Sequence, residues 1–223
     1  MHARRALVLA VIATGSIAAI SRPALSSDTA SSQRAGAPPQ TPAPTPPGQR
    51  GGRGRGGIQV MTLTTPAWRD GADIPLKYTQ AGGEVSPALS WSNPPETVVS
   101  FALIVHDVSA PVNPGTDDVL HWMVWNIPAA SRGLPEGVPR GSQLPDGTRQ
   151  ISATGPNYRG PGALASGPPH VYVFELFALD SMIDVPALGP TGASVPQTRA
   201  AVMAAMATHV RGKAVTSGVF KRK

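Results

Sequence analysis

Short apolar runs, each ended by proline, glycine or asparagine, fill the chain from Ile58 onward. This pattern is typical of strands joined by turns. It predicts six strands, at residues 58–63, 74–78, 88–91, 98–107, 120–127 and 170–179. Several of these runs are apolar at consecutive positions, so both faces of those strands are expected to be buried between two layers. The pattern therefore predicts a mostly β fold of the sandwich type.

One stretch near the C-terminal end has helical periodicity instead. Ser194 is placed to cap its first turn, and Gln197, three residues later, completes a capping box. Apolar residues then recur at helical spacing as far as Val210, and Gly212 is suited to end the helix. We expect a single amphipathic helix that packs on the sheets, with its methionines filling the core.

The first quarter of the chain has a different composition. Residues 1–26 combine a basic start, an apolar run that ends at Ile20 and small residues before a cleavage point after Ser26, which predicts a signal peptide. The alternative is an uncleaved anchor, for which the apolar run is short. Residues 27–57 lack large apolar side chains, so we expect a disordered tether. The folded domain then spans residues 58–223 of an exported protein, either periplasmic or secreted.

The distribution of charge matters more than its total. Residues 1–57 contain seven Arg and one Asp, which accounts for the whole net charge of +6. Residues 58–223 are neutral, with twelve Lys plus Arg and twelve Asp plus Glu, so a basic nucleic-acid-binding domain is excluded. The Arg-Gly run at 48–57 resembles RNA-binding segments. Export favours a solvated linker there, with at most weak attraction to a membrane surface or cell-wall polymers.

Histidines at strand ends are the candidates for chemistry in the folded part. His106 ends one predicted strand and His121 begins the next, so a hairpin-like return at 108–119 would bring Asp107 near His121. His170 begins another strand after a loop rich in glycine and proline. A carboxylate beside imidazoles fixes their tautomers and creates a site with donors for phosphate or another anion. We therefore predict a ligand pocket around Asp107, His121 and His170.

Five short motifs, in order along the chain, carry a resemblance to a known family. They are Asp107-Val108-Ser109-Ala110-Pro111, His121-Trp122, Leu134-Pro135-Glu136-Gly137-Val138, Gly160-Pro161 and the strand from His170 to Asp180. Together they resemble the phosphatidylethanolamine-binding protein family, and specifically its bacterial Raf-kinase-inhibitor-like branch, over about residues 58–223. The resemblance implies a β-sandwich with a few peripheral helices, including one near the C-terminus, and a small anion pocket at one end.

The resemblance also implies a set of ligand-binding residues. They are Asp107, Pro111, His121, Gly160, Pro161, His170 and Tyr172. No catalytic residue, metal or cofactor is expected, and the expected ligand is a small anion such as a phosphate ester or a phospholipid head group. Val108 and Ser109 depart from the family pattern of Pro and Asp, and Val171 stands where the pattern has Arg. We interpret the lost carboxylate and the lost cation as a compensated pair.

Three other functions stay open at the level of sequence. Ser109, a histidine base and Asp107 satisfy the residue list of a serine hydrolase, although the Gly-x-Ser-x-Gly elbow is absent. Asp107, His121 and His170 are chemically adequate zinc ligands, whereas thiolate sites are excluded because the chain has no cysteine. The family name also suggests regulation of another protein, which for an exported chain means an envelope or host protein.

Overall fold

Nine strands, one α-helix and a short 3₁₀-helix form the described part of the chain. The computed structural model describes residues 57–110, 118–187 and 194–223, which belong to one compact unit. The predicted leader, residues 1–26, lies outside the described residues, and so do residues 27–56 of the predicted tether. Within the described ranges, no helix is both long enough and apolar enough to span a bilayer.

The strands are numbered in chain order. They are β1 (Gln59–Val60), β2 (Thr62–Thr64), β3 (Leu89–Ser92), β4 (Ser100–Asp107), β5 (Val119–Pro128), β6 (Gly133–Leu134), β7 (Arg149–Ile151), β8 (His170–Leu179) and β9 (Val210–Phe220). The helix α1 spans Val195–Met206 and precedes β9. The large sheet has the order β1-β9-β8-β4-β5-β7, and the small sheet has the order β2-β3-β6.

Two hydrophobic cores lie on the two faces of the large sheet. One core packs Phe101, Leu103 and other side chains of the large sheet against Leu63 and Trp91 of the small sheet. The other core packs the alternate positions of β4 and β5 against α1, including Val202. Because both faces of β4 are buried, the predicted sandwich and the mostly β class are confirmed, with α1 as the expected helix near the C-terminus.

The helix begins where its capping signals predict but ends earlier. The Ser194 side chain accepts the backbone N–H of Gln197, and the Gln197 side chain accepts the N–H of Ser194, so both halves of the capping box are present. The helix ends at Met206, and Val210 already belongs to β9. The predicted extension to Val210 is therefore wrong, because this residue pairs with the end of β8.

The predicted strand at 74–78 is also wrong. Pro75 has a φ of −60° and precedes a 3₁₀-helix at Leu76–Tyr78, whose first turn closes through a hydrogen bond from Tyr78 N–H to the Pro75 carbonyl. Proline fixes φ and provides no N–H for a sheet, which favours this turn over a strand. The turn matters for function because it leads directly into Gln80, beside the predicted pocket.

Candidate ligand-binding site

The predicted pocket lies at one end of three neighbouring strands of the large sheet, β8, β4 and β5. Asp107 ends β4, and it is paired with Val119 at the start of β5 and with Tyr172 near the start of β8. The hairpin-like return from β4 to β5 is thus confirmed. A cavity of about 280 Å³ opens at this end of the sheet. It is lined by Asp107, His121, His170 and Tyr172.

Asp107 is the hydrogen-bonding centre of the pocket and is only 3% exposed. Its Oδ1 accepts the backbone N–H groups of Ser109 at 2.9 Å and of Ala110 at 3.1 Å. Its Oδ2 lies 2.7 Å from Nδ1 of His170. Since a carboxylate accepts, Nδ1 of His170 carries the hydrogen, and the carboxylate fixes the ring orientation. The Nε2 atom of His170 is then left for a ligand.

His121 is held differently from His170. Its Nδ1 lies 2.9 Å from the carbonyl oxygen of Arg159, so Nδ1 again carries a hydrogen. Burial lowers the pKa of His121, and the ring is therefore neutral at pH 7. A neutral ring that donates through Nδ1 has a lone pair on Nε2. The pocket therefore contains one imidazole supported by a carboxylate and one neutral imidazole with an acceptor nitrogen.

Tyr172 supports the loop that closes the pocket. Its hydroxyl oxygen accepts the backbone N–H groups of Gly162 at 3.1 Å and of Ala163 at 3.2 Å. Burial raises the pKa of Tyr172 to about 12, so the side chain is a neutral phenol at physiological pH. Its ring also packs edge-on against the ring of His121, with centroids 5.0 Å apart. Tyr172 thus fixes both a pocket histidine and the loop beside it.

The remaining predicted residues have different positions. Gly160 and Pro161 adjoin the cavity but are not among its lining residues, which include their neighbours Arg159 and Gly162. A Cβ on Gly160 would lie 2.6 Å from the carbonyl oxygen of Tyr78, so this glycine permits close contact between two backbone segments. Pro111 lies outside the described residues.

Besides Ser166, two polar residues that sequence reasoning missed also line the cavity. Arg159 is one of them, and its guanidinium makes no ion pair within the described ranges. Gln80 is the other, and its Nε2 donates to the carbonyl of Gly160 at 2.8 Å. Arg159 directly precedes the Gly160-Pro161 motif, and this position could have identified it as a pocket residue. Gln80 lies in no motif and reaches the site only through the packing of its loop.

Sequence comparison identifies the family to which this arrangement belongs. The model of the family described as phosphatidylethanolamine-binding protein matches residues 64–221, which include every described side chain of the pocket. The chain belongs to this family. Membership supports, in general terms, a ligand-binding rather than a catalytic function.

Relatives of known sequence and structure agree with this assignment. A UPF0098 protein from Methanothermobacter thermautotrophicus is 41% identical over 164 residues, covering 73% of this chain and 99% of the relative. A UPF0098 protein from Aquifex aeolicus is 34% identical, covering 74% of this chain and 91% of the relative. The crystal structure of Escherichia coli YbcL, described as a new member of the mammalian PEBP family, is similar with a TM-score of 0.61 and 27% identity, covering 73% of this chain and 99% of that one.

The positions that depart from the family pattern contact one another. The Ser109 hydroxyl accepts the backbone N–H of Val171 at 2.9 Å, and the N–H of Val108 donates to the carbonyl of Val171 at 3.2 Å. The Ser109 hydroxyl therefore joins the end of β4 to the start of β8. It is not among the groups that line the cavity.

Metal binding was the remaining alternative for the pocket. A transition-metal site needs several well-placed nitrogen, sulfur or carboxylate ligands. The part of the chain that the structure describes contains no group of three His, Asp or Glu side chains arranged to hold a metal ion. In the pocket itself, Nδ1 of each histidine is already bonded to a protein oxygen.

Proposed function

We propose that this family member binds a small anionic ligand, a phosphate ester or a phospholipid head group, in the Asp107–His121–His170 pocket and performs no catalysis on it. The observation that carries the proposal is that the two imidazoles donate to different acceptors. Asp107 accepts from Nδ1 of His170 at 2.7 Å, whereas a neutral carbonyl accepts from Nδ1 of His121 at 2.9 Å.

Asp107 accepts from Nδ1 of His170 and so leaves Nε2 as the ring nitrogen for a ligand. This nitrogen can form a hydrogen bond with a phosphate group. His121 is neutral and presents an acceptor. A phosphate monoester with one remaining proton satisfies both histidines, because it has anionic oxygens and one hydroxyl. The guanidinium of Arg159 adds a positive charge at the same cavity.

Backbone amides contribute less to this site than its glycine content suggests. The N–H groups of Gly162 and Ala163 donate to the Tyr172 hydroxyl and are not available to a ligand. These two amides therefore do not contribute to ligand binding. The volume of about 280 Å³ lies just below the range of roughly 300–1,000 Å³ for small-molecule sites. It suits a head group better than a whole lipid.

A calorimetric titration tests the proposal with three probes: O-phosphoethanolamine, inorganic phosphate and ethanolamine. We expect both phosphate compounds to bind and ethanolamine, which lacks the phosphate, not to bind. His170→Gln and Arg159→Gln should each weaken O-phosphoethanolamine binding by about tenfold, which is the loss of one charge-assisted hydrogen bond. His209→Gln is the matched control, because His209 pairs with Asp180 away from the cavity.

Two results would contradict the proposal. The binding function is wrong if neither phosphate compound binds the wild-type protein, or if His170→Gln binds both as tightly as the wild type does. The non-catalytic part is tested with a fluorophosphonate probe, which labels activated serines. Labelling of Ser109, or of Ser166 at the cavity wall, would support a hydrolase instead.

We also propose that the protein is exported. Support comes from the leader at 1–26 and from the composition of the following tether. The expected mature chain begins at Ser27. Mass spectrometry of the protein purified from the envelope or the medium of its own cells measures this directly. An intact Met1 in that fraction would indicate an uncleaved anchor.

A further inference from the structure

A second and larger cavity, of about 810 Å³, opens beside the ligand pocket. We name it the apolar groove. Its walls include the apolar side chains Ile74, Leu76, Pro169, Val219 and Phe220. Leu76 is 59% exposed, so a large apolar side chain faces solvent at the groove. An exposed apolar concavity of this size is a feature of binding sites.

The lining of the apolar groove also includes a cationic segment. Lys221, Arg222 and Lys223 line it, and Asp73 is the only acidic residue among the lining side chains. None of the three cations makes an ion pair within the described part of the chain. The folded segment as a whole is neutral, so this is a local excess of positive charge. A ligand with one anionic end and one apolar end complements the groove.

The backbone along the groove is already paired. Ile74 N–H donates to the carbonyl of Val219 at 2.8 Å, and Val219 N–H donates to the carbonyl of Ala72 at 2.9 Å. An extended peptide gains its affinity at a sheet edge from free backbone groups of this kind. Since the Val219 groups are occupied, the groove favours a ligand that needs no backbone hydrogen bonds. A hydrocarbon chain meets that condition.

The segment that precedes the domain does not complement this surface. Residues 27–57 contain four Arg and no large apolar side chain. Arginines would be repelled by Lys221–Lys223, and the segment has no side chain with which to fill an apolar cavity of this size. This segment is therefore not the expected occupant of the groove.

We infer that the apolar groove binds a single-chain anionic amphiphile of the fatty-acid class. Its chain packs on the exposed side chains Leu76 and Pro169, and its carboxylate lies at the Lys221–Lys223 cations. This site is distinct from the Asp107 pocket, although the two cavities are adjacent. Gln80 and His170 line the pocket, and their chain neighbours Ala81 and Pro169 line the groove. The inference does not depend on what the Asp107 pocket binds.

A chain-length series tests the apolar half of the inference. Saturated fatty acids of eight to sixteen carbons are titrated below their micelle concentrations, with tryptophan fluorescence or calorimetry as the readout. We expect affinity to rise about fourfold for each buried methylene and then to level off once the groove is full. Leu76→Asp should weaken the binding of dodecanoic acid at least tenfold. Met182→Asp, at a comparably exposed position of 52% outside the groove, should leave the affinity unchanged.

The charged half is tested by comparing dodecanoic acid with dodecanol. The wild-type protein should prefer the acid at least fivefold, and the double variant Lys221→Gln/Lys223→Gln should lose that preference. Arg140→Gln, which removes one cation outside the groove, is the control. Equal affinity of the wild type for acid and alcohol overturns the inference, and so does an unchanged affinity in Leu76→Asp. If His170→Gln weakened the binding of dodecanoic acid while Leu76→Asp and Lys221→Gln/Lys223→Gln did not, the amphiphile would bind in the Asp107 pocket. That result would also overturn the inference.

Discussion

Replacing Asp107 by alanine is the most informative single change, because this carboxylate joins three parts of the pocket. It accepts two backbone N–H groups from the loop after β4 and one N–H from His170 at the start of β8. The residue is 3% exposed, so water has little access to the groups that the substitution would leave without a partner. We expect the variant to lose both stability and ligand binding.

The magnitude follows from the three contacts. A buried donor left without an acceptor costs about 1–3 kcal/mol, and the substitution leaves three such donors, the N–H groups of Ser109, Ala110 and His170. The loop at Ser109 and Ala110 can relax, so we expect a total loss of about 3–5 kcal/mol rather than the full sum. Asp107→Asn keeps an oxygen for the loop amides and should cost only about 1–2 kcal/mol.

Urea unfolding followed by tryptophan fluorescence measures these losses, with four Trp in the chain as reporters. A loss of this size should lower the melting temperature by roughly 10 °C. The control is Asp146→Ala, since Asp146 accepts the N–H of Thr148 in an exposed turn. It should cost under about 1.5 kcal/mol. A loss below about 1 kcal/mol in Asp107→Ala would refute the role of Asp107 as the centre of the pocket.

Three further results are expected. Gly160→Ala should cost about 1–3 kcal/mol in urea unfolding, because its Cβ would lie 2.6 Å from the Tyr78 carbonyl oxygen; an unchanged midpoint would contradict the close contact. Tyr172→Phe should speed hydrogen exchange at the two loop amides that its hydroxyl accepts; unchanged exchange rates would contradict that role. His106, whose Nε2 lies 3.4 Å from a carboxylate oxygen of Glu175, and then Lys213 lower the pKa of Glu175 to about 2. The stability that these contacts give is present above the ordinary pKa of 4.5 and is lost as pH falls toward 2. Urea midpoints measured from pH 6 to pH 2 should therefore fall less steeply in Glu175→Gln, and equal slopes would contradict it.

Strands with large apolar side chains could be predicted from the sequence, and strands with small ones could not. The predicted strand at 170–179 has the bounds of β8, His170–Leu179. The eleven-residue β9 beside it was missed, although it pairs with β8 along its whole length. Its buried positions include Ala214, Thr216 and Gly218. A Cβ on Gly218 would lie 2.8 Å from Nε1 of Trp68, so space requires a small residue there and removes the alternating apolar signal.

The pocket residues that lie at strand ends could be predicted from the sequence, whereas those that lie in loops could not. Asp107, His121 and His170 lie at or beside the ends of paired strands, so the antiparallel register places them together. Gln80 and Arg159 come from irregular segments whose paths depend on tertiary contacts, such as the hydrogen bond from Gln80 to Gly160. No local pattern encodes such a contact, because its partners are 80 residues apart.

The contact between the departing positions supports the interpretation of a compensated pair. Where the family pattern has Asp and Arg, this chain has Ser109 and Val171, and the Ser109 hydroxyl accepts the Val171 N–H at 2.9 Å. Val171 is 36% exposed, and an ion pair at such a position would contribute only about 0–1 kcal/mol. The hydrogen bond from Val171 N–H to Ser109 contributes a similar amount, about 0.5–1.5 kcal/mol. Since two opposite charges disappear together, the net charge beside the pocket does not change, and the proposed anion binding depends on the hydrogen bonds of the two histidines and on the guanidinium of Arg159.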